Sequence, residues 1–300
     1  MKPKDILNLK NLYQNGKNIT KYAQSLRNTN INTQEVIECA YDLQAGSYIN
    51  LVKENEENFH NICKQYASYI EPYLFKGITL LDIGTGELTT LTILTNLLNP
   101  NDLNLLAFDT SWSRLHLGMD YYRENIKAPK VNLDVFASNM DQIPLPSKSV
   151  DIAISSHALE PNGGNIEAIL QEIYRVSNLC IFFEPSFEIN CAEGQRRMKD
   201  LGYVTNLKKA INDTNGTLIN FNAIENPLNP LNPTACYIVK TPNDSIKTYR
   251  GKINLTAPGS DYILQNKYGF MLSDEIGISY PILKDIPILK ESNAILSTAI

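Results

Sequence analysis

The chain has 300 residues, of which 43% are hydrophobic, so it can bury the core of one large domain with an appendage or of two domains. Its net charge of -5 and the absence of Lys/Arg runs argue against a nucleic-acid footprint. No apolar stretch approaches the ~18 residues of a membrane span, and no signal-type apolar segment follows the first residues.

Residues 1–75 are rich in Asn, Tyr and Gln and show helical periodicity. The pattern predicts one helix over residues 33–41, with Thr33 as its N-cap, and a second helix over residues 48–73. The first 75 residues are therefore expected to form a helical region that precedes the first strand.

A glycine-hinged turn follows the first apolar run. Residues 81–87 read LDIGTGE, and a helix pattern covers residues 87–98. Two glycines in such a turn let the backbone approach a ligand closely, and the helix N-terminus directs its amides toward that ligand. A dinucleotide fingerprint needs a further glycine at the sixth position of the loop, where this chain has Thr89, so a nicotinamide oxidoreductase is disfavoured.

Three more apolar runs follow. The run over residues 103–108 ends at Asp109, about 20 residues beyond the loop, where an acid can accept hydrogen bonds from a ribose. An alternative role for Asp109 is N-cap of the next helix, since Thr110 and Ser111 follow it. The next run, residues 131–136, leads into residues 137–140, and a fourth strand is predicted over residues 152–156.

In this order and spacing, the four segments resemble the class I S-adenosylmethionine-dependent methyltransferases over roughly residues 40–240. The resemblance implies an α/β fold: a doubly wound, Rossmann-like seven-stranded sheet in residues 76–240, an N-terminal helical lid in residues 1–75, and S-adenosylmethionine as the cofactor. It further implies a cofactor site made of Tyr48, Asp82, Gly84, Thr85, Gly86, Asp109, Thr110, Asn139, Met140 and Ser155. For Tyr48, packing of the lid onto the sheet is an open alternative.

Two residues depart from the family pattern. Leu88 stands where many members have a third glycine, and Asn139 stands where the family usually has an Asp that contacts the adenine amino group. An Asn keeps a carbonyl acceptor for that amine. These departures keep open a catalytically inactive methyltransferase fold that serves as a binding subunit.

The acceptor side is expected at the ends of the fourth and fifth strands. His157 and Glu160 follow the fourth strand, and Glu184 follows the fifth, predicted over residues 179–183. Ligands of doubly wound sheets bind at the carboxyl ends of the strands, so these three residues are the catalytic candidates. His157 is the best-placed base, because imidazole titrates near neutral pH. A structural histidine that fixes the loop is the alternative. Helices are predicted over residues 165–177 and 193–201, and strands over 217–224 and 235–240 complete the sheet.

The last segment, residues 252–300, is expected to be a small β-rich module. It resembles the zinc-ribbon-like subunit that activates several methyltransferases, in a form without metal: Ala257, Ser260 and Ser273 stand where zinc-binding members have cysteine. The five cysteines form no CxxC pair and favour neither a zinc site nor a disulfide framework. The apolar residues 282–289 can dock on the catalytic domain or on a second subunit, which leaves a homodimer open. A plain β-extension is the alternative.

These observations predict a cytoplasmic methyltransferase that moves a methyl group from S-adenosylmethionine to an O or N atom. The favoured acceptor is a small polar metabolite, with sugar-like and nucleotide-linked molecules included. A protein or tRNA acceptor is the runner-up, and the acidic balance weighs against tRNA. Acceptor pockets are built from variable loops, so the sequence does not identify the acceptor.

Overall fold

A layer of helices precedes the first strand of the protein. The computed structural model describes residues 2–29, 31–98, 103–127, 131–242 and 252–300. The N-terminal helices are α1 Pro3–Gln14, α2 Ile19–Leu26, α3 Gln34–Leu43, α4 Ser47–Glu54 and α5 Glu56–Ile70. The prediction of α3 is confirmed, because the Thr33 side chain accepts a hydrogen bond from the Val36 amide and caps the helix.

The single helix expected over residues 48–73 is wrong, because the chain breaks at Asn55. This residue has φ -132° and ψ 36° and separates α4 from α5. Its side-chain amide donates a hydrogen bond to the Leu51 carbonyl at 3.0 Å. Such a local bond competes with the helical backbone pattern, which explains the end of α4. After α5, a short 3-10 turn over Glu71–Tyr73 contains Pro72, which has no amide hydrogen for a continuing helix.

The central sheet contains the predicted strands. They are β1 Thr79–Ile83, β2 Asn104–Asp109, β3 Asn132–Ala137, β4 Val150–Ser156, β5 Ser177–Pro185, β6 Thr217–Ala223 and β7 Thr234–Lys240. Their order is β3-β2-β1-β4-β5-β7-β6, and β7 runs antiparallel to both of its neighbours, β5 and β6. The chain order reverses between β1 and β4, so the carboxyl ends of these strands form the crevice in which ligands of doubly wound sheets bind. The predicted fold class is confirmed.

Both faces of the sheet are buried. Leu81 and Ile83 point into one apolar cluster, whereas Ile78 and Leu80 belong to the cluster on the other face. This pattern is typical of parallel strands that helices cover on both sides. The helices after β1 are α6 Thr89–Leu98, α7 Trp112–Asn125, α8 Ile166–Val176, α9 Ala192–Asp200 and α10 Leu207–Asp213. The short α10 has too few residues to give a periodic signal and was not expected. No helix of the described residues is long and apolar enough to cross a membrane.

The C-terminal module is a small antiparallel sheet that packs on the edge of the central one. Its strands are β8 Gln265–Lys267, β9 Phe270–Ser273, β10 Ile278–Leu283, β11 Ile286–Pro287 and β12 Ile295–Leu296. Ile288 pairs with Ala137 at the end of β3, and the Leu289 amide donates to the Ala137 carbonyl at 2.7 Å. The Ser138 hydroxyl donates to the Leu289 carbonyl at 2.9 Å. Of the two docking surfaces left open by the sequence, the module therefore contacts the catalytic domain, at the end of β3.

Candidate functional site

The loop after β1 depends on two glycines in the left-handed region. Gly84 and Gly86 have φ of 63° and 57°, a conformation that other residues adopt only with strain. A Cβ on Gly84 would lie 2.6 Å from the Ala158 Cβ, so the backbone passes here only without a side chain. The loop is tied down from below, because the Thr85 hydroxyl donates to Asp82 Oδ2 at 2.6 Å. Burial raises the pKa of Asp82 to about 7.

Leu88 adopts the backbone conformation that a third glycine would adopt in the loop after β1. It has φ 52° and is fully buried, so a leucine occupies the left-handed conformation at this position. Such a conformation costs about 1–3 kcal/mol, which burial of the leucine side chain offsets. Gly118 on α7 makes the room: a Cβ there would lie 2.4 Å from Leu88 Cδ1 and 2.6 Å from the Glu87 carbonyl carbon. The departure at Leu88 is thus matched by a glycine on the facing helix.

Asp109 connects the loop after β1 with the loop after β2. Its Oδ2 accepts a hydrogen bond from the Gly86 amide at 3.0 Å, and its Oδ1 accepts one from the Ser111 amide at 2.8 Å. The N-cap of α7 is Ser111, whose hydroxyl accepts from the Arg114 amide, so the alternative of Asp109 as N-cap is wrong. A carboxylate has about four acceptor positions, so Asp109 retains capacity for ligand hydroxyls. Burial raises its pKa.

The predicted adenine side lies at the ends of β2 and β3. Met140 lines the cavity above the glycine loop, as expected. Asn139 does not line it, and its side-chain carbonyl accepts a hydrogen bond from the Thr110 hydroxyl at 3.0 Å. The Asn carbonyl therefore holds the neighbouring loop, and Thr110 is the residue of this pair that faces the cavity.

Two carboxylates, those of Glu87 and Asp42, connect the N-terminal helices to the loops that surround the cavity. Glu87 is 1% exposed and accepts hydrogen bonds from the Gly46 and Ile49 amides at 3.0 and 2.8 Å, at the beginning of α4. Asp42 at the end of α3 accepts from the Ser113 amide and hydroxyl at 3.0 and 2.9 Å. A carboxylate at a helix N-terminus is favourable, because it satisfies free amides and complements the helix dipole. The lid is therefore fixed to the cofactor loops by charge-assisted hydrogen bonds.

Arg114 fills the space between the lid and the glycine loop. It is 3% exposed, and its Cζ lies 4.7 Å from the centre of the Tyr41 ring and 4.9 Å from that of Tyr48. Its Nε donates to the Tyr41 carbonyl at 2.9 Å. Sequence reasoning missed Arg114 and Tyr41; the available signal was a cation three residues after the N-cap of α7, on the buried side of the helix. Tyr48 was expected at the cavity and lines it.

The C-terminal module also reaches this site. Lys290 is 4% exposed, and its Nζ donates to Glu38 Oε1 on α3 and to the Thr110 carbonyl, each at 2.6 Å. This one side chain links the module, the lid and the loop after β2. Its position in the sequence gave no signal, because these partners lie far apart in the chain.

The cavity at the switch point brings together most of the predicted cofactor residues. Its wall includes Tyr48, Gly84, Thr85, Gly86, Asp109, Thr110, Met140 and His157. Among the predicted site residues, those outside the wall are Asp82, Asn139, Ser155, Glu160 and Glu184. Ser155, predicted as a cofactor contact, donates its hydroxyl to Glu184, whereas its neighbour Ser156 lines the cavity, since successive strand residues face opposite sides.

His157 holds a strained position at the end of β4. Its φ is 54°, its Nε2 lies 2.7 Å from the Thr234 hydroxyl, and its Nδ1 lies 3.8 Å from Glu160 Oε2. Burial lowers its pKa to about 4, so the imidazole is neutral near pH 7 and the expected titration near neutrality is not supported. The ring lines the cavity and is fixed by Thr234, and both roles left open by the sequence remain compatible with this geometry.

Glu160 is a buried carboxyl group with a high pKa. Its Oε2 accepts a hydrogen bond from the Asn232 side chain at 3.0 Å, and Arg197 Nη1 lies 3.3 Å from Asn232 Oδ1. Burial, with a smaller contribution from Glu184, raises the pKa of Glu160 to about 8. Arg197 thus helps to orient the amide that holds Glu160. A carboxyl group with this pKa can exchange a proton near physiological pH.

Glu184, predicted on the acceptor side, does not line the cavity. It is 1% exposed, and its Oε1 accepts hydrogen bonds from the Ser155 hydroxyl at 2.7 Å and from the Ala158 and Leu159 amides at 3.0 and 3.1 Å. These bonds fix the turn that carries His157. Burial raises the pKa of Glu184 to about 7. Its role is to position the loop after β4.

A second, more polar cavity lies beside the first. The two cavities share Ile37, Tyr41, Tyr48 and Pro161 in their walls. Polar side chains that line the second cavity include Lys21, Gln24, Gln44, Glu160, Asp200 and Tyr203. The lid supplies the first three of these, which explains why sequence reasoning did not find the cavity. Glu160 was expected on the acceptor side and does line it.

The first cavity fits S-adenosylmethionine. Asp109 offers acceptor positions for ribose hydroxyls, and Arg114 supplies a buried cation. Tyr48, Thr110 and Met140 complete the set of residues that would hold the molecule. Among the described residues no group of three His, Cys, Asp or Glu side chains is arranged to bind a metal ion.

Comparison with known proteins agrees with this assignment. Residues 81–178 match the family model of a methyltransferase domain. A chain of the complex between the Haloferax volcanii Trm112 methyltransferase activator and its candidate methyltransferase is 16% identical, with 68% of this chain and 98% of that chain covered and a TM-score of 0.50. A geranyl diphosphate C-methyltransferase from Streptomyces coelicolor is 10% identical, with coverage of 59% and 79% and a TM-score of 0.44. No curated protein matches the sequence.

The likeness to the Haloferax chain shows a shared fold, and the domain match covers the segment that contains the glycine loop and Asp109. Residues 81–178 thus form a methyltransferase domain, and the assignment of the protein as an enzyme with S-adenosylmethionine as its cofactor follows from this domain.

Proposed function

We propose that the enzyme transfers the methyl group to an O or N atom of a small polar metabolite. The observation that carries this proposal is the polar cavity beside the cofactor cavity, separated from it by Tyr41 and Tyr48. A lid of helices roofs this cavity, and its wall mixes hydrogen-bond donors with acceptors. Such a site fits a compact molecule with hydroxyl or amino groups. Sugar-like and nucleotide-linked molecules belong to this class.

The proposed chemistry assigns roles to two residues at the boundary of the cavities. Bound S-adenosylmethionine supplies an electrophilic methyl group. Glu160 lines the acceptor cavity and takes the proton that a hydroxyl or ammonium group of the acceptor releases. His157 lines the cofactor cavity, and its neutral ring, held by Thr234, orients the acceptor and Glu160. Because the pKa of Glu160 is about 8, its ionised fraction and the methyl-transfer rate should rise as the pH increases toward and past 8.

We also propose that the C-terminal module acts within the chain as the activator subunit acts for other methyltransferases. Two contacts support this: pairing of Ile288 with Ala137 on the sheet edge, and the bonds of Lys290 to Glu38 and Thr110. Strand addition of this kind uses main-chain hydrogen bonds for affinity. The module leaves Leu296 83% exposed, and homodimerisation through it stays a prediction. A reducing cytoplasmic location is part of the proposal.

The experiment supplies S-adenosylmethionine labelled in its methyl group together with three fractions of a cell extract: small molecules, RNA and protein. We expect label in the small-molecule product, and we expect Glu160→Gln to reduce it. Glu167→Gln, an exposed carboxyl group on α8, is the matched control and should keep native transfer. Label confined to RNA or protein would support the runner-up acceptors. Binding of the cofactor without transfer to any fraction would support an inactive fold.

A further inference from the structure

Arg114 carries an unsatisfied hydrogen-bond donor in the cofactor cavity. Its guanidinium lines that cavity, its Nε is bonded to the Tyr41 carbonyl, and its Nη2 is buried without a hydrogen-bond partner among the described residues. Nη1 points toward the glycine loop, where a Cβ on Gly86 would lie 3.7 Å from it. A buried charged donor without a partner is strongly unfavourable, so such a group in a cavity indicates a missing ligand atom.

The neighbouring carboxylates are engaged elsewhere. Asp109 accepts from the Gly86 and Ser111 amides, and Glu87 accepts from the two amides at the beginning of α4. The ion pairs found among the described residues do not include Arg114, although its charge partly offsets the rise that burial causes in the pKa of Asp109. The Tyr41 and Tyr48 rings pack on the guanidinium, and Nη2 on its edge is the nitrogen without a partner. The edge of a guanidinium matches the two oxygens of a carboxylate.

We propose that Arg114 binds the α-carboxylate of the methionine part of the cofactor. This inference depends on the assignment of S-adenosylmethionine as cofactor and is independent of the acceptor. The carboxylate is the one anionic group of that molecule, whereas its ammonium and sulfonium groups would be repelled by the guanidinium. Since Tyr41 and Tyr48 belong to the lid and pack on the same guanidinium, recognition of the carboxylate also selects the closed position of the lid.

The test removes first the carboxylate of the ligand and then the guanidinium of Arg114. Binding is measured in the absence of a methyl acceptor. Calorimetry compares S-adenosylhomocysteine with its decarboxylated analogue, which keeps the adenosine, the sulfur and the amino group. The native protein should prefer S-adenosylhomocysteine by about 10- to 150-fold, the range for a hydrogen-bonded charged group. Arg114→Met should lose this preference and bind the analogue as the native protein does. Arg123→Met, at an exposed position on the same helix, should retain the full preference.

Three outcomes would overturn the proposal. The native protein binds both ligands equally, Arg114→Met keeps the preference, or Arg114→Met weakens both ligands by the same factor, as a purely structural role requires. If Arg114→Met fails to fold, Arg114→Lys provides the measurement, because it keeps a charge without the forked geometry and should show a reduced preference. Failure of methyl transfer in the extract experiment leaves this result unaffected, so the two proposals fail separately.

Discussion

The buried carboxyl group of Glu160 predicts that the protein loses stability as the pH rises. Folding raises its pKa from 4.5 to about 8, mainly through burial. Between these values the native state keeps the proton that the unfolded chain has released. The stability that this group contributes is therefore complete below about pH 4.5 and is lost as the pH rises through about 8.

The size of the effect follows from linkage. From pH 6 to pH 8 the free energy of unfolding should fall by about 2 kcal/mol through Glu160, at ~1.4 kcal/mol for each pH unit in which the two states differ by one proton. Urea denaturation at pH 6, 7 and 8 measures this loss. Glu160→Gln has no titrating group at this position, so its stability should fall by about 2 kcal/mol less than that of the native protein over the same interval.

The comparison isolates Glu160, because the other titrating groups that face it are present in both proteins. These include His157 and Glu184, whose pKa values burial moves to about 4 and about 7. Glu124→Gln, at an exposed position of α7, is the control and should follow the native profile. Parallel pH profiles for the native protein and Glu160→Gln would refute the reasoning and show that Glu160 ionises within the folded state at its ordinary pKa.

Four further predictions concern the cofactor site and the module. Asp109→Ala should weaken binding of S-adenosylhomocysteine by about 10- to 150-fold in calorimetry; unchanged affinity would limit Asp109 to joining the two loops. Gly118→Ala should cost about 1–3 kcal/mol in denaturation, because its Cβ meets both Leu88 and the Glu87 backbone. His157→Ala should slow transfer of the labelled methyl group by about 10²-fold with cofactor affinity retained, because the acceptor and Glu160 lose the ring that orients them; an unchanged rate would show that His157 only holds the loop. Elemental analysis should find no stoichiometric zinc, and about one zinc retained against a chelator would contradict this.

The cofactor half of the site could be predicted because its signals are local in the sequence. A buried strand, a Gly-x-Gly turn and a helix stand next to one another at residues 78–98, and Asp109 ends the following strand. Backbone conformation and strand order then determine where these residues lie, with little influence from distant side chains. Gly84, Gly86 and Asp109 accordingly meet at the switch point of the sheet.

The acceptor half could not be predicted to the same depth, because long-range contacts decide it. Successive strand residues face opposite sides, so Ser156 lines the cavity and Ser155 does not. Glu184 is buried and accepts hydrogen bonds from the loop after β4. The lid residues that line the acceptor cavity are brought there by bonds such as that of Glu87 to Gly46, two residues far apart in the chain. Such pairs leave no periodic pattern in either segment.

Leu88 and Asn139 depart from the family pattern. In the structure they are weaker evidence against methyltransferase activity than they are in the sequence alone. Leu88 occupies the left-handed conformation that a glycine would adopt, and Gly118 provides the space for its side chain. Asn139 directs its carbonyl to Thr110, which itself faces the cavity. In both cases the neighbouring residue maintains the path of the backbone around the cofactor. At these two positions the contacts with Gly118 and Thr110 maintain the backbone that the family pattern specifies by residue type, and Arg114 Nη2, buried without a partner among the described residues, is the group that we propose for ligand binding.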